Sequence, residues 1–219
     1  MILAATAVPI PAFAQYIGDR PHAGSIEIGG AFTWTAGYSA GTAVATETRN
    51  PSTGSGPLQL FQADGHVAGA PGAAAWLGVY VSPRMSVEGG LRVSRPKLTA
   101  SVTNDFEGVN ATAIDETLTR YLFDGSLVYQ FASLAGGKGA PYVFGGGGYV
   151  RELDSGNSIV HTGNEIHGGA GLRYWFGASR RVGLRAEGRV SSETGTADLD
   201  GSTKRRIVPE FSAGFAFLF

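Results

Sequence analysis

The chain has 219 residues, enough for one large all-β domain or barrel, and its net charge of −1 argues against the basic face that nucleic acid requires. There is no cysteine, which excludes disulfides, thiolate metal sites and a cysteine nucleophile, and no run of 18 apolar residues that would make a helical membrane span. Of the 17 basic residues 14 are arginine, a ratio that fits guanidiniums in confined, inward-facing ion pairs better than a solvated surface.

Residues Met1 to Ala14 read as the remnant of a signal peptide: Ile2 to Val8 is largely apolar, and Ala12-Phe13-Ala14 is a cleavage site before Gln15. Residues 15–219 then break into segments with period-two alternation, the mark of strands. Strand one is expected from Ser25 to Thr35, with Ile26, Ile28, Phe32 and Trp34 opposite Glu27, Gly29 and Thr33. A long polar stretch, Ala36 to Gly65, follows, with one apolar island at Leu58 to Phe61 that reads as a strand extension beyond a membrane. Strand two is expected from Ala73 to Val81 and ends in the tight turn Ser82-Pro-Arg-Met85. Strand three begins at once, and Arg95-Pro96 breaks its phase, as a bulge or an edge proline would. Beyond a polar loop, Asn104 to Thr112, strand four runs from Glu116 to Phe131. Strand five covers Tyr142 to Arg151, strand six ends at Phe176, strand seven starts at Val182, and strand eight closes the sequence.

Eight strands make an even set, and the connections after strands two, four and six are shorter than most of the others. That is the expected plan of an all-β, eight-stranded, antiparallel, up-and-down transmembrane barrel, with short turns on one side of the bilayer and long loops on the other. Aromatics fall at two levels: Tyr129, Phe131, Tyr142, Phe144, Tyr174, Phe176, Phe217 and Phe219 near one end, Phe32, Trp34 and Tyr121 near the other. Alternation alone also fits a soluble eight-stranded barrel of lipocalin type, with its charged face in water. The glycines interleaved with Arg and Glu favour charges inside, because a narrow barrel interior needs small residues beside long ones.

Two pieces carry a family resemblance: Pro141-Tyr-Val-Phe-Gly-Gly-Gly-Gly-Tyr149, and the terminal ladder Phe211-Ser-Ala-Gly-Phe-Ala-Phe-Leu-Phe219. With them the sequence resembles the small bacterial outer-membrane β-barrels, the outer membrane protein A-like and X-like group. The resemblance implies an outer-membrane location, contact with outer-membrane lipid, a monomer, and Phe211, Phe215, Phe217 and Phe219 as a signal read by the barrel-assembly machinery.

The expected interior charge network is Glu88, Arg92, Glu116, Arg120, Asp124, Arg173, Arg185, Glu187, Arg189 and Glu210, five acids against five arginines. It reads as a salt-bridged filling ahead of a gated ion path. No catalytic residue, cofactor or metal is expected. None of the four histidines sits in the His-x-Ser-Asn arrangement of the lipid A deacylase barrels. His161, Glu165 and His167 share a parity that suggests a metal site but lack a further ligand at readable spacing. Gly145 to Gly148 has no phosphate-loop spacing and reads as thin backbone beside large interior side chains. The functional expectation is a structural or surface-interaction barrel acting through its outer loops. The alternatives are a narrow ion channel and a soluble ligand-binding barrel.

Overall fold

The computed structural model describes residues 21–47, 58–103, 113–134, 138–154, 160–177, 179–195 and 205–219. The signal-like start, Met1 to Ala14, and most of the polar loops lie outside these residues. Within them the strands are β1 (Ile26–Thr35), β2 (Tyr38–Glu47), β3 (Leu58–Val67), β4 (Ala70–Ser82), β5 (Met85–Ser94) and β6 (Lys97–Thr103). They continue with β7 (Ala113–Thr117), β8 (Thr119–Gln130), β9 (Gly139–Leu153), β10 (Val160–Phe176), β11 (Val182–Glu193) and β12 (Arg206–Leu218).

Eight of these close a barrel in the order β1-β12-β11-β10-β9-β8-β5-β4. Each neighbouring pair is antiparallel. The ring closes where the first and last strands meet: Ile28 faces Phe217, Phe32 faces Ala213, and Ile26 and Phe219 exchange both backbone hydrogen bonds, at 3.1 and 2.8 Å. A closed ring leaves no barrel edge to pair with another chain.

The remaining four strands form a second sheet, β2-β3-β6-β7. They prolong β1, β4, β5 and β8 after breaks of one or two residues at Ala36-Gly37, Ala68-Gly69, Arg95-Pro96 and Leu118. The breaks lie side by side: the Ala68 amide donates to the Lys97 carbonyl at 2.8 Å, and the Leu118 amide to the Pro96 carbonyl at 2.9 Å. Their residues suit a pivot. Pro96 has no amide hydrogen to give a ladder, and a Cβ on Gly37 would lie 2.6 Å from the Val67 carbonyl oxygen. The second sheet packs back onto β12, the neighbour of β1, through Tyr38, Ala40 and Val67, which meet Val208, with Leu98 of β6 packed against them.

This second sheet corrects the expectation of a polar loop over residues 36–65, which instead contains β2 and most of β3. The register pairs Ala43 with Ala63 and Thr42 with Asp64. Alanine and aspartate are poor strand formers on their own, so only the cross-strand pairing makes these segments sheet. The expected strand from Glu116 also breaks, at Leu118, and Glu116 pairs with Leu98 outside the barrel.

In the barrel the alternation places apolar residues outside. Phe32, Phe211 and Ile166 are 63%, 66% and 59% exposed, while Glu27, Arg173 and Glu152 are fully buried. A water-soluble barrel has the opposite arrangement, so this exterior needs an apolar solvent. Tyr129 and Phe131 meet edge-on at 5.4 Å, and Tyr174 and Phe176 at 5.6 Å, as two exposed pairs near one end. Tyr142 and Phe144, expected in that belt, are instead 1% and 8% exposed and pack inside with Val128. On β9 the outward parity belongs to Val143, Gly145, Gly147 and Tyr149.

On the second sheet the outward face near the breaks is polar, although Val44, Leu60 and Phe61 are also exposed. The face turned toward β12 carries Tyr38, Val67 and Leu98, and the face turned away carries Thr42, Asp64, His66, Thr99 and Asp115. Polar side chains facing outward belong in water, so the line of breaks marks where the apolar belt ends.

Candidate functional site

The barrel interior is filled by ion pairs in three layers. In the lowest, Glu27 of β1 accepts from Trp76 Nε1 at 3.0 Å, from Tyr80 Oη at 2.9 Å and from Arg173 Nε at 3.1 Å. Arg173 also donates to Glu88, and its guanidinium lies 4.3 Å from the Tyr142 ring centroid. Arg185 bridges Glu88 at 2.7 Å and Glu187 at 2.6 Å, 4.5 Å from the Trp76 ring centroid. In the middle layer Arg92 reaches Asp124 and Glu187, both at 3.2 Å, and Glu210, while Arg189 reaches Asp124 at 2.8 Å and Glu165. At the top Arg120 pairs with Glu193 and Glu152, and Tyr38 Oη donates to Glu152 at 3.2 Å.

Nine of the ten residues expected inside thus lie in this network: Glu88, Arg92, Arg120, Asp124, Arg173, Arg185, Glu187, Arg189 and Glu210. Glu116 lies on β7, beyond the break at Leu118, as the cross-strand partner of Leu98. Four acids of the network were absent from the expected set: Glu27, Glu152, Glu165 and Glu193. Glu27 already showed the right parity. Glu152 and Glu193 fell just beyond the expected strand ends, but β9 runs to Leu153 and β11 to Glu193. The ion pairs join Glu27, Glu88, Asp124, Glu152, Glu165, Glu187, Glu193 and Glu210 to Arg92, Arg120, Arg173, Arg185 and Arg189, with His167 beside Glu165. Glu165 and Glu193 are direct cross-strand partners, a repulsive placement that Arg189 and Arg120 offset.

Glycine makes this filling possible. A Cβ on Gly78 would lie 2.9 Å from Glu88 Cγ, and one on Gly90 would lie 2.6 Å from Asp124 Oδ1. Of the run expected to be thin backbone, Gly146 and Gly148 lie against His167 and Glu165, whereas Gly145 and Gly147 face outward. Two cavities of about 20 and 10 Å³ flank Arg92, each with room for about one water. His161, considered with Glu165 and His167 as a metal site, stands half-buried four residues above Glu165. Among the described residues no group of three or more His, Asp and Glu could hold a metal ion.

The second sheet offers a different surface. Thr42 Oγ1 and the Gln62 amide donate to Asp64 at 2.6 and 3.1 Å and hold its carboxyl below the usual carboxylate range. Thr99 Oγ1 donates to Asp115 at 2.7 Å. The described residues of this sheet carry the carboxylates Glu47, Asp64, Asp115 and Glu116 and one lysine, Lys97.

No family model and no curated protein matches the sequence. Solved structures match the fold. Outer membrane protein OprG from Pseudomonas aeruginosa aligns at a TM-score of 0.58 and 13% identity, over 92% of this chain and 98% of that one. Neisserial surface protein A aligns at 0.54 and 13%, over 90% and 99%. Ail, the attachment invasion locus protein of Yersinia pestis, in complex with the heparin analogue sucrose octasulfate, aligns at 0.51 and 12%, over 90% and 99%. These are small eight-stranded outer-membrane barrels, and at such identities the likeness is one of fold.

Proposed function

We propose that this chain, which has the fold of the small outer-membrane β-barrels, resides in the bacterial outer membrane and acts at the cell surface through the sheet β2-β3-β6-β7. The observation that carries this reading is the unequal treatment of the wall: four barrel strands continue past the apolar belt into a sheet with a polar outer face, above an interior filled by ion pairs. The barrel anchors and the sheet presents. A second reading, a narrow ion path, draws on the two water-sized cavities on either side of Arg92. It requires Arg92 to leave Asp124, Glu187 and Glu210 together. The heparin analogue bound by Ail does not transfer easily, because the described sheet has four carboxylates and one lysine. Its Thr, Ser and Asp face suits a neutral or basic partner that offers hydrogen-bond donors. The closed ring supports a monomer.

The test removes the sheet. Residues 36–69 and 95–118 are replaced by tight turns, joining β1 to β4 and β5 to β8, which are already hydrogen-bonded neighbours. The shortened chain should still fold, read as a gel mobility in SDS that changes on boiling. Cells displaying it should lose adherence to panels of immobilised glycans and matrix proteins that the full chain binds. Neither form should give steady currents in planar bilayers. Regular single-channel openings by the full chain would favour the ion path, and equal adherence by both forms would remove the sheet from the account.

The terminal phenylalanines have a separate role in this reading: Phe211, Phe215, Phe217 and Phe219 form the signal for the assembly machinery. They point outward on the strand that closes the ring with β1, so they remain readable until the last pairing step. Deleting Phe219 removes one side chain worth roughly 1.5–3 kcal/mol of burial, and should leave refolding in detergent nearly intact. Assembly in cells should fall several-fold more. Normal assembly of the truncated chain would reduce the ladder to an ordinary strand.

A further inference from the structure

One cluster in the interior has the connectivity of a nucleophile relay. Ser126 of β8, Gly146 of β9 and His167 of β10 occupy one row of the wall, Ser126 paired with Gly146 and Gly146 with His167. Gly146 has no side chain, and a Cβ there would lie 2.9 Å from His167 Nε2. The imidazole therefore crosses over β9, and its Nε2 stands 2.7 Å from Ser126 Oγ. Its Nδ1 stands 2.9 Å from Glu165 Oε1. Gly148 makes the matching space for that carboxylate, since its Cβ would lie 2.9 Å from Glu165 Oε1. Arg189 donates to the same carboxylate and anchors it.

An ionised carboxylate only accepts hydrogen bonds, so Nδ1 keeps its proton and donates to Glu165, and in the neutral imidazole Nε2 is the acceptor. The remaining bond is then Ser126 Oγ–H donating to Nε2. A serine hydroxyl on an imidazole that a carboxylate orients is the arrangement that makes serine a nucleophile. Ser126 also lines the cavity of about 20 Å³, whose wall includes Arg92 and also Arg185, a cation able to face a developing oxyanion. Arg92 lines the upper cavity of about 10 Å³ as well, so it stands between Ser126 and the outer mouth.

We propose that Ser126 is an activated nucleophile that attacks small acyl, sulfonyl or phosphonyl electrophiles entering the interior from the outer mouth, with His167 as its general base and Glu165 as the residue that orients His167. In the acyl case Oγ bonds to the carbonyl carbon and its proton moves to Nε2. The tetrahedral adduct then expels the alcohol, which takes that proton from Nε2. Water, deprotonated by the same nitrogen, hydrolyses the acyl-serine and restores the hydroxyl. None of this is needed for the surface role proposed above, and the two readings stand or fall separately.

The probe is methanesulfonyl fluoride, applied to the full chain folded in detergent, with adducts located by peptide mass spectrometry. Here Oγ bonds to sulfur, fluoride leaves, and the hydroxyl proton passes through Nε2 to solvent. Ser126 should be modified ahead of the other serines, and Ser126→Ala should remove that adduct. His167→Gln, checked for folding by its heat-dependent gel mobility, should slow the reaction roughly 100-fold, within the range of general-base contributions. Glu165→Gln should slow it less, and Arg92→Gln, which opens the path from the mouth, should speed it. Equal rates in the parent and His167→Gln would overturn the proposal, as would an unmodified Ser126 in both the parent and folded Arg92→Gln.

Discussion

Arg173→Leu is expected to destabilise the barrel by about 3–5 kcal/mol, the usual cost of breaking a buried ion pair from one side. Arg173 is fully buried between Glu27, at 3.1 Å, and Glu88, with its guanidinium over the Tyr142 ring. Leucine would replace part of the volume and none of the charge. Glu27 and Glu88 would then share Arg185, whose NH1 is 3.4 Å from Glu27 and 2.7 Å from Glu88 and whose NH2 already serves Glu187. Glu27 and Glu88 share two cations, Arg173 and Arg185, so removing one leaves two carboxylates on a single arginine. Adding Glu88→Gln to the leucine variant should therefore recover part of the stability. Urea unfolding in lipid vesicles, followed by tryptophan fluorescence, measures both. A loss below about 1 kcal/mol, as for an exposed pair, would show that water enters this layer freely.

Leu184→Arg should cost about 1–2 kcal/mol, because arginine on the lipid face of a barrel costs roughly 2–4 kcal/mol at the bilayer midplane and roughly 0–1 at its interfaces, and Leu184 lies between the two. Leu184 is 42% exposed and sits between Tyr174 and Phe215, on the lipid-facing side of β11 toward the end of the apolar belt. Val44→Arg makes the comparison. Val44 is 51% exposed, but it lies on β2, beyond the breaks where the apolar belt ends. Arginine there should meet water and change stability by no more than about 0.5 kcal/mol. The substitution and the exposure are alike, so the difference reports the solvent outside each position. Equal folding yields for the two variants in vesicles would put the barrel exterior in water and return the soluble barrel to consideration.

Much of the barrel was legible before any coordinates. Period-two alternation at Val182 to Val190 placed Leu184 outside and Arg185, Glu187 and Arg189 inside, because neighbouring side chains on a strand must point to opposite faces. The same rule marked Phe211, Phe215 and Phe217 as one outward ladder, and the break at Arg95-Pro96 followed from proline's missing amide hydrogen. The eight barrel strands and nine of the interior charges were within reach of local pattern alone.

Partner choice, strand length and depth were settled only by the tertiary structure. Alanine, glycine and aspartate over residues 36–65 dilute the strand signal, and these segments become β2 and β3 because neighbouring strands supply their hydrogen bonds. Glu116 keeps the right sequence spacing for the interior but belongs to β7, past the break at Leu118, and so stands above the barrel. Glu152 and Glu193 are inside because β9 and β11 outrun the apolar pattern that predicted their ends. Ser126 and His167, 41 residues apart, meet because strand register aligns them across a glycine. Alternation specifies which way a side chain points; what it then touches depends on register and closure, which are properties of the ring rather than of any one strand.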